Sequence, residues 1–220
     1  MITLPTRLTR TLRPIVPFLL LGSLALTARA QDADLIACMA KYKTVDSMTA
    51  TVVRTQHDDL MEEDEKTTGT LYYKSPGRVC LSFYDGDDRL ILDGNTFALC
   101  GGGESITASG KTLELVEGML TVMKVLVFDL APGTDLSSIA ETSLDKQGTR
   151  AVLTITPIVA GGERERRRML FTSLVLTFDL KAGEIRSMRM NEQGENYTLY
   201  ELSAYKPGTP VGEEVFDTVN

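Results

Sequence analysis

The residues that could carry catalytic chemistry are few, and they lack the partners that such chemistry needs. The single histidine, His57, lies in an acidic stretch, and no Gly-x-Ser-x-Gly sequence accompanies it as a nucleophile would require. Gly110-Lys111-Thr112 resembles the end of a nucleotide-binding loop, but that motif has a glycine five residues before Gly110, where this chain has Ser105. We interpret Gly110 as a turn residue and Thr112 as a helix cap.

Metal and sugar chemistry are equally poorly supported. One histidine excludes a histidine-rich zinc site. Asp85, Asp87 and Asp88 could bind calcium, but a hairpin turn explains them more simply. A pair of carboxylates suited to glycoside hydrolysis stays open, although the chain has no tryptophan to stack on a sugar. We therefore predict no catalytic residues, no metal and no cofactor, with a secreted hydrolase as the least favoured alternative.

The stretch 67–100 predicts four short strands joined by tight turns. Apolar residues alternate with polar ones at the period of two that a half-buried strand requires, and Asp-Gly turns separate the runs. The result is an antiparallel meander with one apolar face that must be buried. That face consists of Leu71, Tyr73, Val79, Leu81 and Phe83.

Two predicted helices could cover this face. Residues 34–45 place apolar side chains on one helical face, and residues 112–128 are apolar on more than one side. A helix that is apolar on several sides is buried on several sides, or it covers something that comes and goes, and methionine suits a surface that must repack. The residues assigned to this cover are Leu35, Met39, Tyr42, Leu115, Met119 and Met123.

The remaining chain reads mostly as strands, at 47–56, 104–109, 136–145, 151–156, 174–178, 185–190 and 195–204. The order is one helix, about six strands, a second helix and about five strands. This order has no βαβ alternation and no internal repeat. It predicts a mainly β (α+β) fold, a single strongly curved antiparallel sheet with helices on its concave side.

The first 30 residues predict a cleaved signal peptide rather than part of the fold. Basic residues precede an apolar run at 15–26, and Ala28-Arg29-Ala30 provides a small-x-small cleavage site. The alternative, a membrane anchor, would need about 20 apolar residues. Leu35-Ile36-Ala37-Cys38 resembles a lipidation sequence, but it lies well past the apolar run, so lipidation of Cys38 is the lesser alternative. Residues 31–220 then form a single exported domain.

The net charge of the chain narrows the classes of partner that it could bind. Cleavage would remove four arginines and no acidic residue, which leaves 19 basic and 30 acidic residues. A chain with this excess of acidic residues lacks the basic surface that binds nucleic acid.

The cysteines predict no disulfide framework. The three cysteines are an odd number, and tight turns would place Cys80 opposite Asp93 and Cys100 opposite Arg89. We therefore expect no disulfide framework.

Several stretches together resemble the periplasmic outer-membrane lipoprotein carriers, the LolA type. The resemblance rests on 47–56, Gly69-Thr70-Leu71-Tyr72-Tyr73, Pro76, 79–83 and Asp93-Gly94, and it extends to the late strands 174–190 and 195–204. The family fold is an unclosed antiparallel β-barrel with a helical lid over an apolar cavity. The resemblance thus implies a cavity wall formed by Leu71, Tyr73, Val79, Leu81 and Phe83, and a lid formed by the six helical residues named above.

The resemblance also implies a function. It is that of a periplasmic chaperone, expected to be a monomer, that carries acylated lipoproteins from an inner-membrane release complex to an outer-membrane acceptor. This chain departs from the family where an arginine that holds the lid closed is replaced by Ser75, so Lys74 or Arg78 is the candidate latch. The family tryptophan on the next strand corresponds to Leu81 or Phe83. The alternative is a module of the same fold that binds another lipid or senses envelope stress.

Overall fold

The computed structural model describes residues 44–93, 96–102, 104–107, 140–158 and 171–218. The predicted signal peptide, Cys38 and the predicted helix at 112–128 lie outside these residues, as does all but the end of the predicted helix at 34–45. In the described part of the chain, no helix is both long and apolar enough to cross a membrane.

The described chain is built from strands at the places where alternation predicted them. The strands are β1 (Ser47–His57), β2 (Glu65–Lys74), β3 (Arg78–Phe83), β4 (Asp88–Asp93), β5 (Thr96–Gly101), β6 (Glu104–Thr107), β7 (Ala140–Gln147), β8 (Arg150–Pro157), β9 (Ser173–Asp179), β10 (Glu184–Asn191) and β11 (Tyr197–Pro207). Short 3-10 turns cover Tyr84–Gly86 and Glu213–Phe216.

All eleven strands belong to one antiparallel sheet, in the order β6-β5-β4-β3-β2-β1-β11-β10-β9-β8-β7. Strands that are neighbours in the sheet are also consecutive in the sequence, except β1 and β11, whose pairing joins the two halves. Among the described residues β6 and β7 do not pair, so the sheet is not closed into a barrel. The prediction of a mainly β, unclosed antiparallel sheet is confirmed, while the lid falls outside the described residues.

The sheet is curved. Leu90 in β4 and Leu176 in β9 line the same pocket, although six strand spacings separate β4 from β9 in the sheet. In a flat sheet those spacings of about 4.8 Å would add up to roughly 29 Å. A bulge in β11 between Ser203 and Lys206, opposite Thr49 and Thr51 of β1, lies at the middle of the sheet, and bulges increase local twist.

The two faces of the sheet bury different clusters. The concave face carries the main core, which includes residues from both halves. On the convex face a smaller cluster, the outer cluster, joins β3, β4 and β5 to the segment after β11. The outer cluster consists of Cys80, Ile91, Ala98, Cys100, Val211 and Phe216.

The cysteines confirm one expectation and correct another. Cys100 lies opposite Arg89 as predicted, but Cys80 lies opposite Ile91 and not Asp93, because the β3–β4 turn uses the 3-10 turn at Tyr84–Gly86 and shifts the register by two residues. Both thiols are free and buried. The two described cysteines are therefore not joined to each other in this structure.

Gly69 in β2 permits a close approach of β2 and β3. It lies opposite Phe83, and a Cβ placed on it would meet the Ser82 carbonyl oxygen and lie 2.5 Å from Phe83 Cδ1. Without a side chain at Gly69, the Phe83 ring can lie across β2 on the concave face. The glycine that leads this strand in the sequence is thus required by packing rather than by an unusual backbone conformation.

Candidate functional site

The concave face holds a pocket whose accessible lining is wholly apolar. Its walls come from both halves of the sheet, which meet through β1 and β11. The lining residues are Met48, Leu71, Tyr73, Val79, Leu81, Leu90, Leu92, Leu176, Ile185, Met188, Tyr200, Leu202 and Tyr205.

Four of the five residues assigned to a cavity wall from the sequence line this pocket. Leu71 and Tyr73 in β2 and Val79 and Leu81 in β3 point to the same face because strand residues two apart share a face. Phe83 shares that face and is buried, but it lies beyond the lining and packs under the Arg54 guanidinium, 4.4 Å from its ring centroid. The sheet therefore brings the first four together and places Phe83 at the end of the pocket.

The second wall, from β9, β10 and β11, was not assigned from the sequence. Leu176, Met188 and Tyr200 occupy adjacent strands in direct register, and all three line the pocket. The strand patterns at 174–190 and 195–204 indicate strands there, but nothing local tells which distant strand they face. Their position relative to the first wall depends on the pairing of β1 with β11, which joins the β1–β6 half of the sheet to the β7–β11 half.

Two of the three lining tyrosines, Tyr200 and Tyr205, contribute their rings to the apolar lining while their hydroxyl groups stay neutral or hydrogen-bonded. The Tyr205 hydroxyl donates a hydrogen bond of 2.5 Å to the Ile185 carbonyl oxygen, which leaves its ring for the pocket. Burial raises the pKa of Tyr200 to about 12, against a smaller opposing effect of Arg54, so its phenol is neutral at physiological pH. A hydrocarbon chain could therefore pack against both rings.

The six residues assigned to a lid, Leu35, Met39, Tyr42, Leu115, Met119 and Met123, lie outside the described residues. Their role stays a prediction.

The candidate latch residues lie on the face opposite the pocket. Lys74 and Arg78 both donate to the carboxylate of Glu213, and Lys74 also donates to the Val211 carbonyl oxygen at 3.1 Å. Arg78 pairs in addition with Asp93 at 2.9 Å. These contacts attach the segment after β11 to the convex face. A latch over the pocket stays a prediction, and the contacts in the described residues do not supply one.

Arg78 is held at this attachment by its surroundings. Its guanidinium carbon lies 4.2 Å from the centroid of the Phe216 ring. The Lys74 and Arg78 hydrogen bonds hold the pKa of Glu213 at about 2, well below its usual range. The Glu213 carboxylate therefore stays ionised down to strongly acidic pH.

His57 does not form a catalytic arrangement in the described residues. Its Nδ1 lies 2.7 Å from the Asp64 carboxylate, and its ring stacks on Tyr197 with centroids 4.9 Å apart. Hydrogen bonding to His57 lowers the pKa of Asp64. This arrangement ties the two ends of the β1–β2 connection together next to β11. Within the part of the chain that the structure describes, no three metal-ligating side chains come together.

The fold and the pocket together define a class of protein: an open, curved antiparallel sheet that encloses an apolar binding pocket. No protein-family model and no curated protein matches the sequence.

Solved structures do resemble the chain. A DUF1329 family protein from Desulfovibrio piger has 12% sequence identity and a TM-score of 0.45, with 86% of this chain and 96% of that chain covered. A LolA superfamily protein from Nitrosomonas europaea has 8% identity and a TM-score of 0.41, with 84% and 97% covered. A domain named for outer membrane lipoprotein sorting, from Vibrio parahaemolyticus, has 11% identity and a TM-score of 0.45, with 86% and 95% covered.

The structural matches thus include the LolA type of protein that the sequence resembles. At these identities and TM-scores the likeness carries no function across. The function of this chain is therefore inferred from its own pocket.

Proposed function

We propose that this protein is a carrier that binds acyl chains of lipoproteins in the concave pocket. The observation that supports this proposal is the lining itself, which exposes only apolar atoms to the pocket and is drawn from both halves of the sheet. An apolar pocket without placed polar groups suits a hydrocarbon chain better than a small polar substrate, which needs a few converging hydrogen-bond partners.

The binding energy required is within reach of such a pocket. Moving one methylene group from water into an apolar environment is worth about 0.8 kcal/mol. Six methylenes would then supply about 5 kcal/mol before the entropic cost of association is subtracted. Since the interaction is non-directional and forms no covalent bond, the cargo can be released intact, as a carrier requires.

The resemblance to LolA-type carriers supplies the remainder of the proposal. In it, residues 31–220 form one monomeric domain that is exported by the cleaved segment 1–30 and works in the periplasm. The carrier would accept acylated lipoproteins from an inner-membrane release complex and deliver them to an outer-membrane acceptor. The helical residues Leu35, Met39, Tyr42, Leu115, Met119 and Met123 would cover the pocket mouth.

Native mass spectrometry of the protein purified from its own organism tests the cargo. A co-purifying lipoprotein supports the carrier proposal. A bound free lipid supports instead a lipid-binding or stress-sensing module of the same fold. Protein that is empty and that turns over ester or glycoside substrates contradicts both.

A charge placed in the pocket tests the site. Leu90 lines the pocket from β4 and is only partly buried, so Leu90→Asp introduces a carboxylate there without removing a fully buried core side chain. We expect it to abolish binding of a fluorescent fatty-acyl probe, because an ionised carboxylate next to a hydrocarbon chain loses its hydration.

The matched control is Leu60→Asp, the same chemical change at a side chain that is 88% exposed in the β1–β2 connection. It should leave probe binding unchanged. Equal binding by both variants, each with a native far-UV circular dichroism spectrum, would contradict the assignment of the pocket.

A further inference from the structure

A charged pair lies at one end of the apolar pocket. Arg54 in β1 is the cross-strand partner of the lining residue Tyr200, which in turn pairs with Met188 in β10. On the other side of β1 the Arg54 side chain reaches Asp88, which lies two residues before the lining residue Leu90 on the same strand face. The Arg54–Asp88 pair therefore lies just beyond the apolar lining, next to Tyr200 of one half of the sheet and Leu90 of the other.

The Arg54 guanidinium is the more deeply placed member of this pair. Its NH1 donates to Asp88 Oδ2 at 2.7 Å, and its carbon lies over the Phe83 ring at 4.4 Å. The Arg54 side chain is 11% exposed and that of Asp88 is 35% exposed. Gly69, which has no side chain, leaves the space through which Phe83 and Arg54 meet above β2.

Arg54 has hydrogen-bonding capacity that its carboxylate does not use. A guanidinium offers five N–H donors, and among the described residues Arg54 Nε is buried without a hydrogen-bond partner. A buried donor without an acceptor is costly, so the guanidinium gains from a second oxyanion. Because the Arg54 side chain is mostly buried and lies over the Phe83 ring, its electrostatic interactions are screened less than those of an exposed arginine.

Among the described residues, a second carboxylate near this end is that of Glu192. It accepts a hydrogen bond of 3.0 Å from the Thr198 hydroxyl, which directs it toward β11. Burial raises the pKa of Tyr200, and among the charged groups around that phenol Arg54 has the largest effect, which opposes burial. Among the described residues, Arg54 is the charged group in direct register with the lining residue Tyr200.

On the basis of the proposed function, we propose that the pocket prefers amphiphiles with an anionic end, whose carboxylate or phosphate binds Arg54 while the alkyl chain lies along Leu81, Leu90 and Tyr200. Asp88 keeps the guanidinium oriented, and the ligand oxyanion binds beside it as the second acceptor. The ligand class is then an acyl carboxylate or a phospholipid with one free anionic group, in addition to a neutral acyl chain.

The test compares ligands that share one alkyl chain. Dodecanoate, dodecyl phosphate, dodecanol and dodecylamine compete with a fluorescent acyl probe for the full-length protein at alkaline pH, below their micelle concentrations. We expect at least one of the two anions to bind at least about tenfold more tightly than dodecanol, as a charge-assisted hydrogen bond allows. Dodecanoate and dodecyl phosphate separate a carboxylate from a phosphate preference.

Three variants locate the preference. Arg54→Met should bring the ratio of anion affinity to dodecanol affinity to about one, whereas Arg54→Lys should retain part of the preference. Asp88→Asn removes the competing carboxylate and should increase the preference for anions. This opposite shift is the result that a merely structural ion pair would not give.

Each negative outcome has its own meaning. If dodecanol binds as tightly as the anions, or if dodecylamine binds most tightly, the inference about Arg54 is wrong while the acyl-binding function stands. If none of the four ligands binds, the proposed function itself is wrong. The comparison of the four ligands uses the unmodified protein, so it stays decisive even if a variant fails to fold.

Discussion

The packing at Gly69 makes a quantitative prediction about stability. In Gly69→Ala the new Cβ would meet the Ser82 carbonyl oxygen and would lie 2.5 Å from Phe83 Cδ1 and 3.0 Å from Phe83 Cε1. The first of these atoms belongs to a backbone fixed by the β2–β3 ladder, so it cannot turn away as a flexible side chain could. The clash must be relieved by separating the two strands or by displacing the Phe83 ring.

Overpacking of this kind typically costs about 1–3 kcal/mol. Because a backbone atom is involved, we expect the upper part of this range, about 2–3 kcal/mol. In a domain of this size each kcal/mol lowers Tm by about 2–4 °C, so Tm should fall by about 4–12 °C. Thermal unfolding followed by circular dichroism measures the shift, and urea unfolding gives the free energy of unfolding directly.

Gly101→Ala is the matched control. Gly101 is also a strand glycine, in β5, but the nearest atoms to a Cβ there are 3.9 Å away, which is ordinary contact. Its substitution should be neutral or should stabilise by about 0.4–1 kcal/mol, because alanine restricts the unfolded chain. If the two variants unfold at the same temperature, close packing between β2 and β3 is not what requires glycine at position 69.

Two further predictions concern the convex face. Glu213→Gln should lower stability above the ordinary carboxyl pKa of 4.5, and its difference from the unmodified protein should vanish as the pH falls toward about 2, because the folded-state pKa of Glu213 is depressed by Lys74 and Arg78. Urea midpoints across that pH range measure this, and a difference independent of pH would contradict it. Burial raises the pKa of the Cys80 thiol to about 12, so in a Cys38→Ser background native protein should resist a thiol reagent until it unfolds. Rapid labelling of Cys80 in folded protein would show that the outer cluster opens.

Local patterning was sufficient to predict the strands but not the far side of the pocket. Leu71 and Tyr73 alternate with polar neighbours, and such alternation gives both the strand and its buried face. It does not give the partner of β1, since β11 lies at the other end of the described chain. Met188 and Tyr200 were therefore placed in strands without being assigned to the pocket.

Two other features escaped prediction for related reasons. Arg54 follows Met48, Ala50 and Val52 on one face of β1. A charged residue at a position where the pattern expects an apolar one was the only sequence signal that the apolar pocket ends there. The segment around Glu213 has no periodic pattern, because a short 3-10 turn attached by ion pairs leaves none. Lys74 and Arg78 were singled out as cations, but their partner on the convex face could be found only from the fold.

The pairing of β1 with β11 has a consequence for how the molecule is made. Met48 lies opposite Pro207, and the Gly208 amide donates to the Ser47 carbonyl oxygen at 2.7 Å, so the seam at the centre of the sheet joins the earliest strand to the latest. A ribosome must therefore have produced nearly all of the described chain before that seam can form, and contacts of such long sequence separation form slowly. Until then the strands β1–β6 and β7–β11 can form only two separate meanders, each with an apolar face that lacks the other half of the sheet.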